Sequence, residues 1–420
     1  MNSNTILIRF GISPDGFELN NFEPIKTDKG FLYYIEQSKK HIDCPYCNCK
    51  NVFIKGYYYR TINCSDNEVI NESIKIKKVR FQCRSCNKTF SPTIKGINPY
   101  NSITNFNKNV IRLSFYSNIN FTTLAKMYHC SVSQIINIFD ESFVSVPRLK
   151  LSKILCIDEF HFSSNDEMKY CCILSDFETG KIIDILKSRQ LICLLDYFSK
   201  IPENELKSVI FFVSDMYDAY KTIKDHFLPK AKHIVDKFHI IIQLTRAIKQ
   251  LRVICMNNFE KGSIHYNFMK TNWKYFECRQ SNIPNKFYHH KKDNRTIHFT
   301  DLIFECIKSS DSLWSGYLIL QDLYSYSQYN NFEDSLKFIR WISARLLNAD
   351  SPLLKSVGKT YKKWEIGIAQ AFTSNHYQYN ITNSLSEGNN NTIKTVLKNA
   401  YGFKNFERFR KRALLILRNK

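Results

Sequence analysis

From Lys153 onward, short apolar runs alternate with amphipathic stretches in an order that predicts one sheet and its covering helices. Lys153–Phe162 (KILCIDEFHF) and Lys169–Asp176 (KYCCILSD) read as strands, and Phe177-Glu-Thr-Gly180 turns into a third, Lys181–Leu186. Leu191–Lys200 follows with helical spacing, then a buried strand Ser208–Ser214, a helix Tyr217–Phe227, a brief strand His233–Val235 and a helix from Phe238. Three strands on short connections followed by alternating helices and strands make a sheet that is antiparallel on one side and parallel on the other, the order of an RNase H-like domain. Residues 240–380 carry helical periodicity throughout, with Trp273, Trp314, Trp341 and Trp364 at wide intervals, and read as an all-α insertion. Asn383–Leu397 supplies the closing helix, and Asn405–Lys420 a basic helical tail.

Upstream the pattern differs. An apolar stretch at Phe31–Ile35 and two β-rich runs, Asn51–Ile62 and Ile74–Phe81, precede a segment with helix-turn-helix punctuation between Asn120 and Glu141. Thr122 or Thr123 is placed to cap a first helix, His129-Cys130 makes the turn, and Ser131 caps a second helix with Ile135, Ile136 and Phe139 inward. The fold class expected is therefore α/β, an RNase H-like mixed sheet with a large all-α insertion, preceded by a small zinc ribbon and a helix-turn-helix. The expected boundaries are 1–95 for the β-rich lead-in and ribbon, 96–147 for the helix-turn-helix, 148–240 with 381–403 for the catalytic domain, 241–380 for the insertion and 404–420 for the tail.

Composition narrows the partners. Lys and Arg number 60 against 38 Asp and Glu, a formal charge of +22 spread along the chain, which favours a polyanion such as DNA. No signal peptide or apolar run of about 20 residues is apparent, so a cytoplasmic protein without a membrane span is expected. Of the 14 cysteines, Cys156, Cys171, Cys172 and Cys193 sit in apolar runs as buried reduced thiols. Cys44-Pro-Tyr-Cys47 and Cys83-Arg-Ser-Cys86 are different: two CxxC turns joined by hairpin-like sequence give four thiolates for one structural Zn²⁺. Cys49 and Cys64 lack a CxxC partner.

Two acids stand out by context. Asp158 interrupts an apolar strand, and Asp215 ends the strand VIFFVS. An acid so placed is costly to desolvate unless it is paired or binds metal. In the expected order their strands are neighbours, as two-metal phosphodiester chemistry requires of its carboxylates. The third acid is open on pattern alone. Glu387, in Ser384-Leu-Ser-Glu387-Gly-Asn-Asn-Asn, fits a metal ligand or the N3 position of a capping box led by Ser384. Glu159 alternates to the opposite strand face. Asp236-Lys-Phe-His239 fits either a simple helix cap or an element supporting the site.

These motifs together resemble bacterial insertion-sequence transposases of the ISL3 type, of the DDE group. The likeness runs through Cys83-x-x-Cys86-x-Lys-Thr-Phe-Ser-Pro92, the helix-turn-helix, Ile157-Asp-Glu-Phe160, Ser214-Asp215 and Asp236-Lys-Phe-His239. It ends with Ser386-Glu-Gly-Asn-Asn390, Ile393-Lys394 and Tyr401-Gly-Phe-x-Asn-Phe406-x-x-Phe409-Arg. One departure is Asn389-Asn-Asn391 followed by Thr392, where the family leads one to expect a Lys nearer the Asn pair. The resemblance implies that Asp158, Asp215 and Glu387 are the catalytic acids, holding two Mg²⁺ (Mn²⁺ able to substitute), with Asp236 and His239 in support. It implies cleavage at element ends and strand transfer into target DNA. Terminal inverted repeats are expected to be read by the ribbon and by Val132, Ser133, Gln134 and Asn137. Asn389, Asn390 and Lys394 are expected at the scissile strand, and Lys404, Arg408, Arg410, Lys411 and Arg412 on phosphates. A homodimer on nucleoid DNA is expected. The rivals are a catalytically inactive DNA-binding regulator and an RNase H-fold nuclease without strand transfer.

Overall fold

The computed structural model describes residues 3–18, 23–28, 30–40, 42–65, 69–162, 169–292, 294–325, 331–373, 384–400, 403 and 405–419. The chain divides into two compact units, Met1–Pro147 with Ile393–Lys420, and Arg148–Thr392.

The first unit opens with helix α1 (Ser3–Arg9) and the strands β1 (Phe17–Glu18), β2 (Ile25–Thr27), β3 (Gly30–Gln37), β4 (Val52–Asn63), β5 (Glu72–Cys83) and β6 (Thr89–Phe90). β4 and β5 form a long antiparallel hairpin, with Val52 opposite Cys83 and a register shift between Ile54 and Gly56. β3, the apolar stretch anticipated at Phe31–Ile35, lies parallel to β5. The buried face of this sheet, with Ile35, Ile62, Ile74 and Ile76, packs on Leu7 and Phe10. Three helices follow: α2 (Asn105–Ser114), α3 (Phe121–Met127) and α4 (Val132–Ser142). Asn120, not Thr122 or Thr123, caps α3 by accepting from the Thr123 N–H, while Ser131 caps α4 as expected. The inward positions of α4 are Ile135, Ile138 and Phe139; Ile136 is only half-buried, because the buried stripe sits one position round from the expected one. His129 adopts φ 48° between the helices, and its carbonyl and that of Tyr128 accept from Asn63 Nδ2 at 2.8 and 2.9 Å. The strained turn is thus tied to the end of β4.

The second unit carries a five-stranded sheet. Its strands are β7 (Ile154–His161), β8 (Tyr170–Asp176), β9 (Ile182–Leu186), β10 (Phe211–Ser214) and β11 (Lys232–Val235), in the order β11-β10-β7-β8-β9. β7–β8 and β8–β9 pair antiparallel, while β10 is parallel to both β7 and β11. This is the RNase H-like order read from the sequence. Helices α5 (Leu191–Ser199), the short α6 (Glu203–Leu206) and α7 (Asp218–Phe227) precede α8 (Lys237–Asn257), which leaves β11 and runs on into the helical region. One face of the sheet, with Leu155, Ile157 and Phe212, packs on α5 and α7 through Leu194, Phe198, Tyr220 and Ile223. The other face, with Ile154, Cys156 and Val213, packs on α8 and shares one continuous core with the helices that follow.

Those are α9 (Ile264–Thr271), α10 (Phe299–Lys308), α11 (Asp311–Ser325), α12 (Phe332–Asn348), α13 (Pro352–Lys363) and α14 (Glu365–Ala371). A hairpin, β12 (Phe287–His290) with β13 (Arg295–His298), interrupts the helices, which the periodicity did not anticipate. α14 lies close against β11: a Cβ on Gly367 would meet Val235 Cγ2 at 2.8 Å, so glycine permits the approach. Helix α15 (Ser384–Asn399) follows, and α16 (Phe406–Arg418) ends the described chain in the first unit. No helix among the described residues is long and apolar enough to cross a membrane.

Candidate active site and metal centre

The register of β7 and β10 sets the site. Val213 pairs with Cys156, and both side chains belong to the core on the α8 side. Two residues further along each strand, Asp215 and Asp158 fall on that same face at the same end of the sheet, because side chains alternate with period two. β10 stops at Ser214, and the next backbone N–H in β11's direction, that of Asp236, bonds the Ser214 carbonyl at 2.9 Å. Asp236 caps α8 by accepting from the Phe238 N–H at 3.3 Å, and its other oxygen engages His239 Nδ1 at 3.0 Å. The middle of β7, the ends of β10 and β11 and the start of α8 therefore gather Asp158, Asp215, Asp236 and His239.

The electrostatics are those of an anion-rich site short of cations. Burial pushes Asp158 up to about 6, opposed by the Glu159 N–H, which donates to its Oδ1 at 2.8 Å, and by His239. Asp215 is pushed up to about 7, first by burial and then by the Glu159 charge; His239 and Arg189 pull it down while Asp158 adds to the rise. His239 is raised, chiefly by its bond to Asp236, with the Asp215 and Asp158 charges adding to it. Among the described residues Oδ1 of Asp215 is buried with no hydrogen-bond partner. A buried carboxylate oxygen left without a donor, beside a second raised carboxyl, is what a hard divalent cation would satisfy. Glu159 lies on the opposite face as alternation requires, bound by Arg189 at 2.7 Å and by Tyr220 Oη at 3.0 Å. Arg189 stacks over Tyr170 and Tyr217. The chain pattern signalled this Glu159–Arg189–Tyr220 cluster only through the parity of Glu159.

Glu387 lies in α15, which begins at Ser384. Its carboxylate lies outside the described residues, as do the side chains of Asn389 and Asn390, so the choice between cap and ligand stays a proposal. Lys394 is exposed on the same helix.

The four cysteines of the two CxxC turns in the first unit converge. Sγ atoms of Cys44, Cys47, Cys83 and Cys86 all lie within 4.8 Å of one another, with Cys44–Cys86 and Cys47–Cys83 at 3.6 Å. Four sulfurs each about 2.3 Å from a tetrahedral Zn²⁺ sit about 3.8 Å apart, so the set fits zinc. Each turn closes in the same way: Asn48 and Asn87, one residue past the second cysteine, take φ 57° and 59°. The Cys44 N–H bonds the Cys49 carbonyl and the Cys83 N–H bonds that of Lys88, both at 3.0 Å. Backbone N–H groups of Cys86 and Ser85 aimed at Cys83 lower its thiol to about 6, predisposing it to the thiolate. Cys49 bonds Ser85 and Cys64 is buried; neither joins the cluster.

Residues 155–413 match the family described as transposase, the DDE type named for ISL3. The chain belongs to the ISL3-type DDE transposases. The match spans more than half of the chain and contains Asp158, Asp215 and Glu387. No curated protein matches it.

In this transposase the helix-turn-helix presents Val132, Ser133 and Asn137 to solvent, while Gln134 is half-buried and donates to Ser102 Oγ at 3.1 Å. The basic residues of α16 have other company. Arg412 is 3% exposed; it donates to the Ser117 and Ile119 carbonyls at 2.7 Å and lies over the Phe115 and Phe121 rings. It packs inside the unit and is withdrawn from the surface that could meet phosphate. Arg408 forks onto Asp140 at 2.7 and 3.1 Å, Arg410 donates to the Val146 carbonyl and Lys411 to that of Val144. Lys404 lies outside the described residues. The expected solvent face of this helix is thus largely engaged with the helix-turn-helix and the irregular segment after it.

Proposed function

We propose that the protein cleaves DNA at the ends of an insertion element and joins the freed 3′-hydroxyl to target DNA, in a reaction dependent on Mg²⁺. The observation that carries this reading is the Asp158–Asp215 pair on neighbouring parallel strands, with a buried oxygen of Asp215 lacking any donor, in a chain of a transposase family. Glu387 on α15 is the proposed third acid. Two Mg²⁺ held by these carboxylates would activate the attacking oxygen and stabilise the leaving one. The residues around them have separable tasks. Asp236 fixes the His239 ring and favours its charged form, so that His239 offers a cation to a backbone phosphate beside the acids. Arg189 and Tyr220 hold Glu159 away from the site face and keep β7 in place against α7.

Val132, Ser133, Gln134 and Asn137 are the proposed readers of the terminal repeat, with the zinc ribbon beside them in sequence. Asn389, Asn390 and Lys394 are proposed to position the cut strand. Two element ends brought together call for a homodimer on DNA. The test is an assay with purified protein, Mg²⁺, labelled element-end duplex and a target plasmid. Joined products that vanish in Asp158→Ala are expected. Cleavage without joining points to a nuclease, and binding with neither points to a regulator.

A further inference from the structure

We propose that a lysine-rich cleft at the β11 edge of the sheet, separate from the carboxylates, binds backbone phosphates of duplex DNA. The cleft has a volume of about 490 Å³ and lies between the end of α7, the start of β11 and the α13–α14 junction. Lys221, Lys224, Lys230, Lys232, Lys362 and Lys363 line it. The acids nearby are already committed. Glu365 is forked by Arg340 at 2.9 and 3.3 Å, and Asp218, outside the lining, holds Lys363. Asp225 sits 3.5 Å from Lys224. Asp225 and Glu365 also line the cleft, but among the described residues no ion pair is formed by Lys221, Lys230, Lys232 or Lys362, so four of its ammonium groups lack a carboxylate partner. Like charges gathered this way repel, and an anion in the cleft would relieve them.

Two further features point to a ligand. Gln370 lines the same cleft, is 9% exposed, and its buried side-chain oxygen has no hydrogen-bond partner. A buried amide oxygen without a donor is an unmet polar group in the cleft wall, and the same amide's N–H groups are donors that a phosphate oxygen can accept from. The floor is Trp364, with Lys221 over its ring at 5.9 Å and His233 edge-on at 5.6 Å. Burial, then the charges of Lys224 and Lys221, push His233 down to about 3, so the ring is neutral and adds no cation of its own. His233 Nε2 lies 2.8 Å from Ser214 Oγ, which donates to the Asp215 carbonyl. The floor of the cleft is therefore bonded to the strand end that carries a catalytic acid. A row of lysines lining one open cleft suits the repeating charges of a phosphodiester backbone.

The choice of DNA as the source of phosphate rests on the proposed function, whereas the anion site itself does not. The test measures binding of a labelled random-sequence duplex in EDTA, where no cleavage occurs, from about 50 to 200 mM salt, each phosphate contact contributing about 0.9 to the log–log slope. Combined Lys221→Ala, Lys230→Ala, Lys232→Ala and Lys362→Ala is expected to lower that slope by about 2 or more. Combined Lys270→Ala, Lys291→Ala, Lys355→Ala and Lys359→Ala, all exposed and outside the cleft, serves as the control for an equal loss of charge. Gln370→Leu is expected to weaken binding severalfold with the slope unchanged. A quadruple variant no different from the control overturns the proposal, as does an effect confined to competition by free tripolyphosphate. A wild-type protein that keeps the lysine-dependent slope yet fails to cut element ends sustains this proposal and removes the catalytic one.

Discussion

The thiol site of the first unit and the carboxylate site of the second solve the same problem, gathering like-charged ligands, by opposite routes. Each pair of cysteines comes from one turn closed by its own backbone and an asparagine at positive φ, so only one long hairpin is needed to bring four sulfurs within 4.8 Å. Asp158 and Asp215 meet only after a sheet has formed in which β10 lies beside β7, and the cost is two carboxyls raised to about 6 and 7. One site is made by local geometry and contributes to folding. The other is made by topology and is held against its own electrostatics. The same contrast governs what each should do when disturbed.

The largest effect is expected at the thiols. Cys83→Ser should lose the bound metal and with it much of the roughly 10–16 kcal/mol of apparent binding free energy that such sites put into folding. Zinc content by elemental analysis and a lost transition on melting would check it; a variant that melts like the parent with no zinc in either breaks the comparison. Asp158→Asn should reverse the pattern in the second unit. Element-end cleavage should fall by on the order of a thousandfold or more, while the metal-free protein melts at the same temperature or higher because a buried like charge is gone.

The pH dependence sharpens the same point. For Asp215, whose folded value of about 7 lies above the ordinary value of 3.8, the folded state holds its proton longer than the unfolded one. Its contribution is then fully present below about 4 and is lost as pH rises toward 7. In EDTA, stability of the second unit should decline across that window, and Asp215→Asn should flatten the decline; with Mg²⁺ present, apparent metal affinity should instead climb through about pH 6–7. Melting curves at about pH 5 and pH 8 with and without Mg²⁺ decide it. A metal-free protein that gains stability over this range contradicts the assignment.

What could be read from the sequence follows from the same distinction. The CxxC turns were legible because their chemistry is contained in four-residue words. Asp158 was legible because a carboxyl inside KILCIDEFHF is costly to bury without a partner or a metal. Strand order came from the sequence of short and long connections. Glu387 was not decided by pattern, since a helix start asks for the same residue as a metal site does, and family likeness carried that choice. Arg412 misled because a basic helix at a chain end reads as solvated, whereas an arginine can bury its plane between aromatic rings and satisfy carbonyls left by a turn. The β12–β13 hairpin was hidden for a different reason: FYHH and RTIH are short and polar, and the turn rests on Asn294 at φ 47°.

Two smaller effects test the packing of the first unit. Arg412→Ala removes a buried guanidinium's two hydrogen bonds to the Ser117 and Ile119 carbonyls and its packing on two aromatic rings, and should cost about 2–4 kcal/mol, read by denaturant unfolding. A change below that range restores Arg412 to the surface. His129→Gly should stabilise by about 0.5–1 kcal/mol by relieving the left-handed turn, read as a small rise in melting temperature, with Asn63→Ala losing more than the glycine gains.

The catalytic reading of the second unit depends on Asp158 and Asp215 sharing one metal site with Glu387, far from them in the chain. Titration of Mn²⁺ into the wild type and into Asp158→Asn, Asp215→Asn and Glu387→Gln, followed by the paramagnetic signal of free ion, tests it most directly. Two ions bound by the wild type and at least one lost in every variant is the expected result. Unchanged binding in Glu387→Gln would contradict the shared site and return Glu387 to the helix cap.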